Sequence, residues 1–224
     1  MKLGVLYSGG KDSTLAMLKA SQYHTISCLI TLVSRNKESY MFQTPNVHMT
    51  NLQAVALDIP LVRVETPGEK EEELVQLKEA IAEAKERYKI EGIVTGAVKS
   101  TYQASRIQKV CHELNVWCFN PLWLMDQVDL LKDVVKSGIV AMISGVFAEP
   151  LDETFLGKKI DKKMVKKLEE AAKSHGINPA GEGGEIETTV LDAPGFKKKI
   201  LVKKTYRSYE NFSGICHIND AVLK

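Results

Sequence analysis

Apolar runs alternate with amphipathic stretches through the first half of the chain. Leu3 to Tyr7, His24 to Val33, Leu61 to Val64, Gly92 to Thr95 and Val116 to Phe119 are short apolar segments with the pattern of buried strands. Helical patterns lie between them. Glu69 to Tyr88 sets Leu74, Leu77, Ile81 and Ala84 at helical spacing with charge on the opposite face, and Tyr102 to Leu114 does the same with Ile107, Val110 and Leu114. Two more helices are expected, one begun by Asp12-Ser13-Thr14-Leu15 and one carrying Leu52 and Val55. This alternation predicts an α/β fold, a Rossmann-like doubly wound parallel sheet with helices on both faces. Ligands of such sheets bind beyond the carboxyl ends of the strands, where strand order reverses. The first strand and Gly92 to Thr95 flank that point. The turn after Tyr7 is therefore one wall of the expected site, and Gly96 to Arg106 the other.

Past Pro121 the pattern changes. A helix from Leu124 to Ser137, an apolar strand from Ile139 to Phe147, a lysine-rich helix from Asp161 to Ser174, and strands around Glu187 to Leu191 and Lys198 to Tyr206 follow in turn. Helices and strands now segregate. This predicts a smaller C-terminal α+β domain, residues 125–224, packed on a sheet domain of residues 1–124, with the boundary near Trp123 to Asp126. Trp117 and Trp123 are expected to anchor the core or the domain interface, because buried aromatic area accounts for them. Lys162, Lys163, Lys166 and Lys167 fit a solvated helix face, with docking of an acidic or phosphate-bearing partner as the other reading.

Composition narrows the class. A chain of 224 residues, 44% hydrophobic and 26% charged, is long enough to bury a substantial core. Its net charge of +2 supplies no global attraction to nucleic acid or membrane, so a polyanion must be met locally. No apolar stretch reaches the roughly 20 residues of a spanning helix, and the N-terminus runs straight into the first strand, so a soluble cytoplasmic protein is expected. The oligomeric state stays open, a homo-oligomer included. Cys28, Cys111, Cys118 and Cys216 show neither a Cys-x-x-Cys pair nor metal-ligand spacing, and are expected to be buried reduced thiols.

The most informative chemistry is Ser8-Gly9-Gly10-Lys11-Asp12-Ser13, where the first strand turns into a helix. Two glycines let the backbone approach an anion and aim N–H groups at it, while the helix N-terminus adds unpaired donors and partial positive charge. Lys11 adds a full charge, the Ser13 hydroxyl can donate to a phosphate oxygen, and Asp12 can hold a magnesium ion (Mg2+) that phosphates bridge. An ordinary capped turn is the simpler alternative, but glycine pair, lysine and hydroxyl together exceed what a cap requires. The spacing is not that of a Walker loop. It resembles the PP-loop of the ATP pyrophosphatases, the N-type adenine-nucleotide α-hydrolase-like enzymes. That resemblance implies ATP cleaved between its α and β phosphates, AMP moved onto a substrate oxygen, and a nitrogen or sulfur nucleophile that then displaces AMP.

Later segments sharpen the resemblance over nearly the whole chain. Gly96-Ala97-Val98-Lys99-Ser100-Thr101-Tyr102-Gln103-Ala104-Ser105-Arg106, Pro121-Leu122-Trp123 with Asp126, Phe42-Gln43-Thr44-Pro45-Asn46 with His48 and Leu52-Gln53-Ala54, and above all Gly181-Glu182-Gly183-Gly184-Glu185-Ile186-Glu187-Thr188 look like the diphthine–ammonia ligase branch of the PP-loop enzymes. Ile186 stands where that family usually has an aromatic residue. The resemblance implies conversion of the diphthine carboxylate on translation elongation factor 2 into the amide of diphthamide, with ATP and ammonium, through an acyl-adenylate. Adenylation matters because a carboxylate is already anionic and its leaving group would be oxide, whereas AMP leaves readily. On that reading Ser8, Gly9, Gly10, Lys11, Asp12, Ser13 and Gly96 bind ATP, Asp12 holds Mg2+, and Lys11 also stabilises departing pyrophosphate.

The same reading assigns Tyr40, His48, Ser100, Tyr102, Gln103, Arg106, Gly183 and Gly184 to substrate or phosphate contacts. Arg106 lies one helical turn after Tyr102, so both can face one side; phosphate, substrate carboxylate and a surface ion pair all remain open for it. His48 fits a cap or a packed ring equally well. Glu182, Glu185 and Glu187 crowd three carboxylates around a glycine turn, which reads either as an exposed hairpin turn or as a catalytic set that attracts ammonium and takes its proton, with Glu185 the foremost candidate base. Two rivals stay open. One is tRNA thiolation or amidation on the same scaffold; the other is a non-catalytic ATP-sensing module.

Overall fold

The computed structural model describes residues 1–34, 45–66 and 72–224. Five parallel strands form the first sheet: β1 (Lys2–Leu6), β2 (Thr25–Ser34), β3 (Leu61–Thr66), β4 (Gly92–Val94) and β5 (Trp117–Phe119), in the order β3-β2-β1-β4-β5. This is the doubly wound order, and it reverses between β1 and β4, as the pattern predicts. Helices α1 (Lys11–Ser21) and α2 (Thr50–Leu57) pack on one face, while α3 (Glu72–Tyr88) and α4 (Thr101–Glu113) cover the other. Alternation along the strands divides the core accordingly. Leu3, Val5 and Leu29 face the α1 side, whereas Cys28, Ile30 and Leu32 face Leu77, Ile81 and Ile107.

After Pro121 come α5 (Gln127–Lys136), β6 (Val140–Val146), α6 (Lys162–His175), β7 (Ile186–Asp192), β8 (Ile200–Glu210) and β9 (Ser213–Leu223). The four strands make a second, antiparallel sheet in the order β7-β6-β9-β8. Asp126 caps α5 through the N–H groups of Val128 and Asp129, Asp161 caps α6 through Met164 N–H, and Gly176, in the left-handed region at φ 70°, ends α6. The core on the α1 side runs without a break from Leu15 and Leu57 through Leu130 and Ile143 to Val190 and Ile218. The second sheet thus shares the hydrophobic interior of the first.

Asn46 fastens this arrangement from a short segment ahead of α2. Held at φ 63°, it donates from Nδ2 to Cys216 O at 2.9 Å and accepts Ile218 N–H at Oδ1 at 2.8 Å. It thereby satisfies β9 where pairing with β6 has stopped, since that ladder reaches only Gly214 and Ile215. His48 Nε2 lies 3.1 Å from Ile218 O beside it.

Three expectations are corrected. Trp117 is 67% exposed and does not anchor the core, while Trp123 keeps 37% of its surface open. Trp117 begins the sheet's edge strand, at the rim of a polar hollow shared with Lys85, Glu91 and His112. Strand β9 went unanticipated, because its hairpin turn, Asn211-Phe212, lacks the glycine that marks such turns. The glycine-rich acidic segment is not a hairpin turn but the connection from α6 to β7. The cysteines meet expectation: all four are free thiols, three of them buried, with Cys118 half-buried. No helix of the described residues is long and apolar enough to cross a membrane.

Asn46→Gly keeps the left-handed backbone but leaves two buried backbone groups of β9 unsatisfied. Equilibrium urea unfolding should show a loss of about 2 kcal/mol.

Candidate active site

The loop after β1 shapes the site. Gly9 sits at φ 80°, where a Cβ would meet the Gln53 side chain, and Gly10 is the N-cap of α1. The helix geometry leaves the N–H groups of Asp12 and Ser13 without intrahelical acceptors, pointing out of the helix start. Ser8 Oγ lies 3.2 Å from Ser13 Oγ, and Gly10 N–H reaches Ser8 Oγ across a long 3.4 Å. Opposite, a Cβ on Gly96 would stand 2.8 Å from Ser13 N and 3.0 Å from Asp12 C. The loop after β4 therefore lies directly against the helix start, and the two walls expected from the pattern meet there.

The second sheet closes the site. Its edge strand β7 runs along the loop: Val190 N–H donates to Gly9 O at 2.9 Å and Lys11 N–H donates to Thr188 Oγ1 at 3.0 Å. Gln53, fully buried on α2, donates from Nε2 to Gly9 O at 2.9 Å and to Val190 O at 2.7 Å. With its carbonyl taken up on that side, the Gly9–Gly10 peptide turns its N–H the opposite way, towards the cleft. The sequence singled out Gln53 and Thr188 only as parts of the longer resemblance. A buried glutamine on a helix carries no signal of what it will face.

Lys11 is 3% exposed; its ammonium donates to Asp12 Oδ2 at 2.8 Å and to Ala180 O. Asp12 Oδ1 is buried with no hydrogen-bond partner among the described residues. The segment ahead of β7 is braced over this pair. Lys99 N–H donates to Glu182 Oε2 at 2.9 Å, Ala180 N–H donates to Gln127 Oε1 at 3.1 Å, and Gln127 Nε2 donates to Asn178 Oδ1 at 2.7 Å.

The three glutamates separate into distinct environments. Glu185 accepts from Asn178 N–H at 3.0 Å, Asn178 Nδ2 at 2.6 Å and Gly183 N–H at 2.9 Å, so its oxygens hold the turn together. Glu182 is pushed up by burial and by Asp12, against the Lys99 N–H bond and the charges of Lys11 and Lys99. Glu187 is raised to about 7, chiefly by burial; Lys11 opposes the shift and Asp12 adds to it. Glu187 is half-buried as a residue, yet enough protein surrounds the carboxyl to disfavour its charge, and it has no hydrogen-bond partner among the described residues. Ile186 beside it is buried.

Other expected residues have local tasks or lie elsewhere. Ser100 caps α4 by accepting Gln103 N–H at 3.3 Å. Arg106 Cζ stacks 3.5 Å from the Tyr102 ring centroid, so the one-turn spacing does bring this pair together. His48 is on the β9 contact described above. Gly183 and Gly184 form the turn, with Gly184 at φ 86°. Tyr40, with Phe42, Gln43 and Thr44, lies outside the described residues.

Two family models account for most of the chain: one described as the diphthamide synthase N-terminal domain matches residues 1–117, and one described as the diphthamide synthase C-terminal domain matches residues 126–223. A protein named diphthine–ammonia ligase from Homo sapiens is 38% identical over 222 residues, covering 90% of this chain and 83% of its own length. The protein of the same name from Danio rerio is 36% identical over 227 residues, covering 92% and 88%. That from Schizosaccharomyces pombe is 32% identical over 235 residues, 97% of this chain but 39% of that longer protein.

Gln53→Glu sets a carboxylate oxygen against two carbonyls in place of the donating amide. Isothermal calorimetry should show pyrophosphate binding weakened by about tenfold or more, the effect of losing a buried donor at roughly 1.4 kcal/mol.

Proposed function

We infer that this chain, which belongs to the diphthamide synthase family, is an ATP-dependent ligase that amidates the diphthine of elongation factor 2 with ammonium, giving diphthamide, AMP and pyrophosphate. The observation that carries this reading is the docking of the glycine-lysine loop on β7, which gathers Lys11, Asp12 and Glu187 from two sheets around one cleft. ATP fits the loop: the N–H groups at the start of α1, the Ser8 and Ser13 hydroxyls and the Lys11 ammonium form a donor cradle for its phosphates. Mg2+ fits beside them, since the buried Asp12 Oδ1 lacks a partner and such an ion takes one or two carboxylates with phosphate oxygens completing its shell. When bound, the ion offsets negative charge on the triphosphate. No cluster of three metal-ligating side chains occurs among the described residues, which suits an ion that arrives with the nucleotide.

The chain's own residues divide the chemistry. Lys11 exchanges Ala180 O for a phosphate oxygen and steadies pyrophosphate as the substrate carboxylate attacks the α-phosphorus of ATP and displaces it. Gly96 keeps the second wall close enough to exclude water from the resulting adenylate. Ammonium then needs to lose a proton, because only neutral ammonia has a free lone pair for the acyl carbon. Glu187 suits that task better than Glu185: its carboxyl has no hydrogen-bond partner among the described residues and its proton affinity is raised, while the oxygens of Glu185 already accept three donors. Glu182 draws the cation in and ties the Lys99 wall to the acidic turn. Arg106, stacked on Tyr102, is the candidate for the substrate carboxylate or a phosphate.

The test mixes the protein with ATP, Mg2+, ammonium and diphthine-bearing elongation factor 2, following AMP and the mass of the modified peptide. AMP formed together with acid-to-amide conversion is expected; AMP release indifferent to elongation factor 2 overturns the reading. For Glu187→Gln, substrate-dependent ATP–pyrophosphate exchange should persist while amidation by ammonium falls by about two orders of magnitude, the usual worth of a general base. Hydroxylamine, which is neutral at pH 7 and needs no base, should recover most of the rate. Equal loss with both nucleophiles would return the role to another group.

A further inference from the structure

The turn between β8 and β9 is built from residues that do not favour it. Glu210 pairs with Ser213, leaving a two-residue loop in which Asn211 has φ 48° and Phe212 has φ 59°. Two successive positive φ values are the signature of a type I′ turn, whose second position belongs to glycine. Asparagine tolerates the left-handed region; a bulky aromatic residue there is an outlier. Phe212 keeps 42% of its surface exposed. A strained backbone that carries an exposed ring points to a use for the ring.

Register tells where that ring stands. Across the second sheet, Ile186 of β7 pairs with Val146 of β6, Val146 pairs with Gly214 of β9, and Gly214 pairs with Tyr209 of β8. The Asn211-Phe212 tip therefore projects from the same end of the sheet as the acidic glycine turn, two strand spacings across, or about 10 Å. Phe147, which follows β6 there, donates its N–H to Glu185 O at 2.9 Å and is itself 39% exposed. Behind the tip, a hollow of about 730 Å³ runs between Tyr206 and Ile215, lined by Arg207, Ser208, Tyr209, Glu210 and Ser213. Tyr206 stands 62% exposed along it, stacked at 6.0 Å on His217.

We propose that the β8–β9 hairpin tip, with Phe212 as its anchor and Phe147 beside it, docks the loop of elongation factor 2 that carries diphthine. This rests on the amidation reading above and supplies what that reading lacks, a grip on a protein substrate. A folded protein can offer the site only an exposed loop, and a loop whose side chain reaches Glu187, next to Ile186 on β7, comes within about 10 Å of the hairpin tip at the same end of the sheet. Aromatic groups beside a polar hollow suit a mixed polypeptide segment, which needs an apolar anchor and hydrogen-bonding walls.

Phe212→Gly separates docking from folding, because it supplies the residue the turn prefers. Its thermal midpoint should equal or exceed that of the wild type. The KM for diphthine-bearing elongation factor 2 should rise at least tenfold, while kcat at saturation and the KM for ATP stay within twofold. Phe212→Trp, which restores an aromatic ring, should return the KM to within about threefold of the wild type. An unchanged KM for elongation factor 2 in Phe212→Gly overturns the proposal, as does an equal change in the KM for ATP. If the wild type itself amidates no elongation factor 2, it is the function reading that fails.

Discussion

The carbonyl of Gly9 holds the molecule's working part together. It accepts from Val190 N–H on the second sheet and from the buried Gln53 amide on α2, and Gln53 reaches back to Val190 O. Three segments distant in sequence thus converge on one peptide group of the phosphate loop. The arrangement closes the edge of β7, whose unpaired backbone groups would otherwise stand open to other chains. It also fixes the loop from behind, so the helix start faces the cleft with its donors already aimed. The Gln53 N–H₂ offers one hydrogen to each of the two carbonyls, and a residue without Cβ leaves room for it at Gly9.

Charge in the cleft follows from the same docking. Lys11 would be a costly buried cation on its own; Asp12 and Ala180 O give it partners. Glu187 on β7 and Glu182 in the connection ahead of it stand near that pair, where burial raises both and Lys11 limits the rise. A phosphate that claims the Lys11 ammonium leaves Asp12 and the glutamates with less positive charge to balance them, which favours a cation beside them. In the proposed reaction, nucleotide and ammonium are coupled electrostatically through this lysine. Glu185 stays apart from the exchange, because its hydrogen bonds are spent on the turn that carries the other two.

The chain spends little stabilising effort at its far ends. Trp117 lies open on the edge of the first sheet, and the β8–β9 hairpin extends past its short pairing with β6. Asn46 and His48 hold the hairpin's base from the segment ahead of α2, so the hairpin is fixed at the site and projecting at its tip. Rigid at the base and exposed at the end is the build of an element that meets a partner.

By itself the sequence determined the parallel sheet and its switch point, because these depend on local signals: apolar periodicity sets strands and helices. The glycines and lysine at a helix start, which mark the loop proposed to hold phosphate, are a local signal of the same kind. The motif match brought the family within reach for the same reason. Tertiary structure alone decided which glutamate is bonded and which is not, since Glu182, Glu185 and Glu187 are chemically identical until Asn178, Lys99 and Lys11 take up their places around them. It decided as well that Gln53 serves the phosphate loop, that Trp117 faces water, and that an Asn-Phe turn closes a hairpin beside the acidic loop. Each of these is set by a contact between residues far apart in the chain, and periodicity along a sequence carries no record of what will lie across from it.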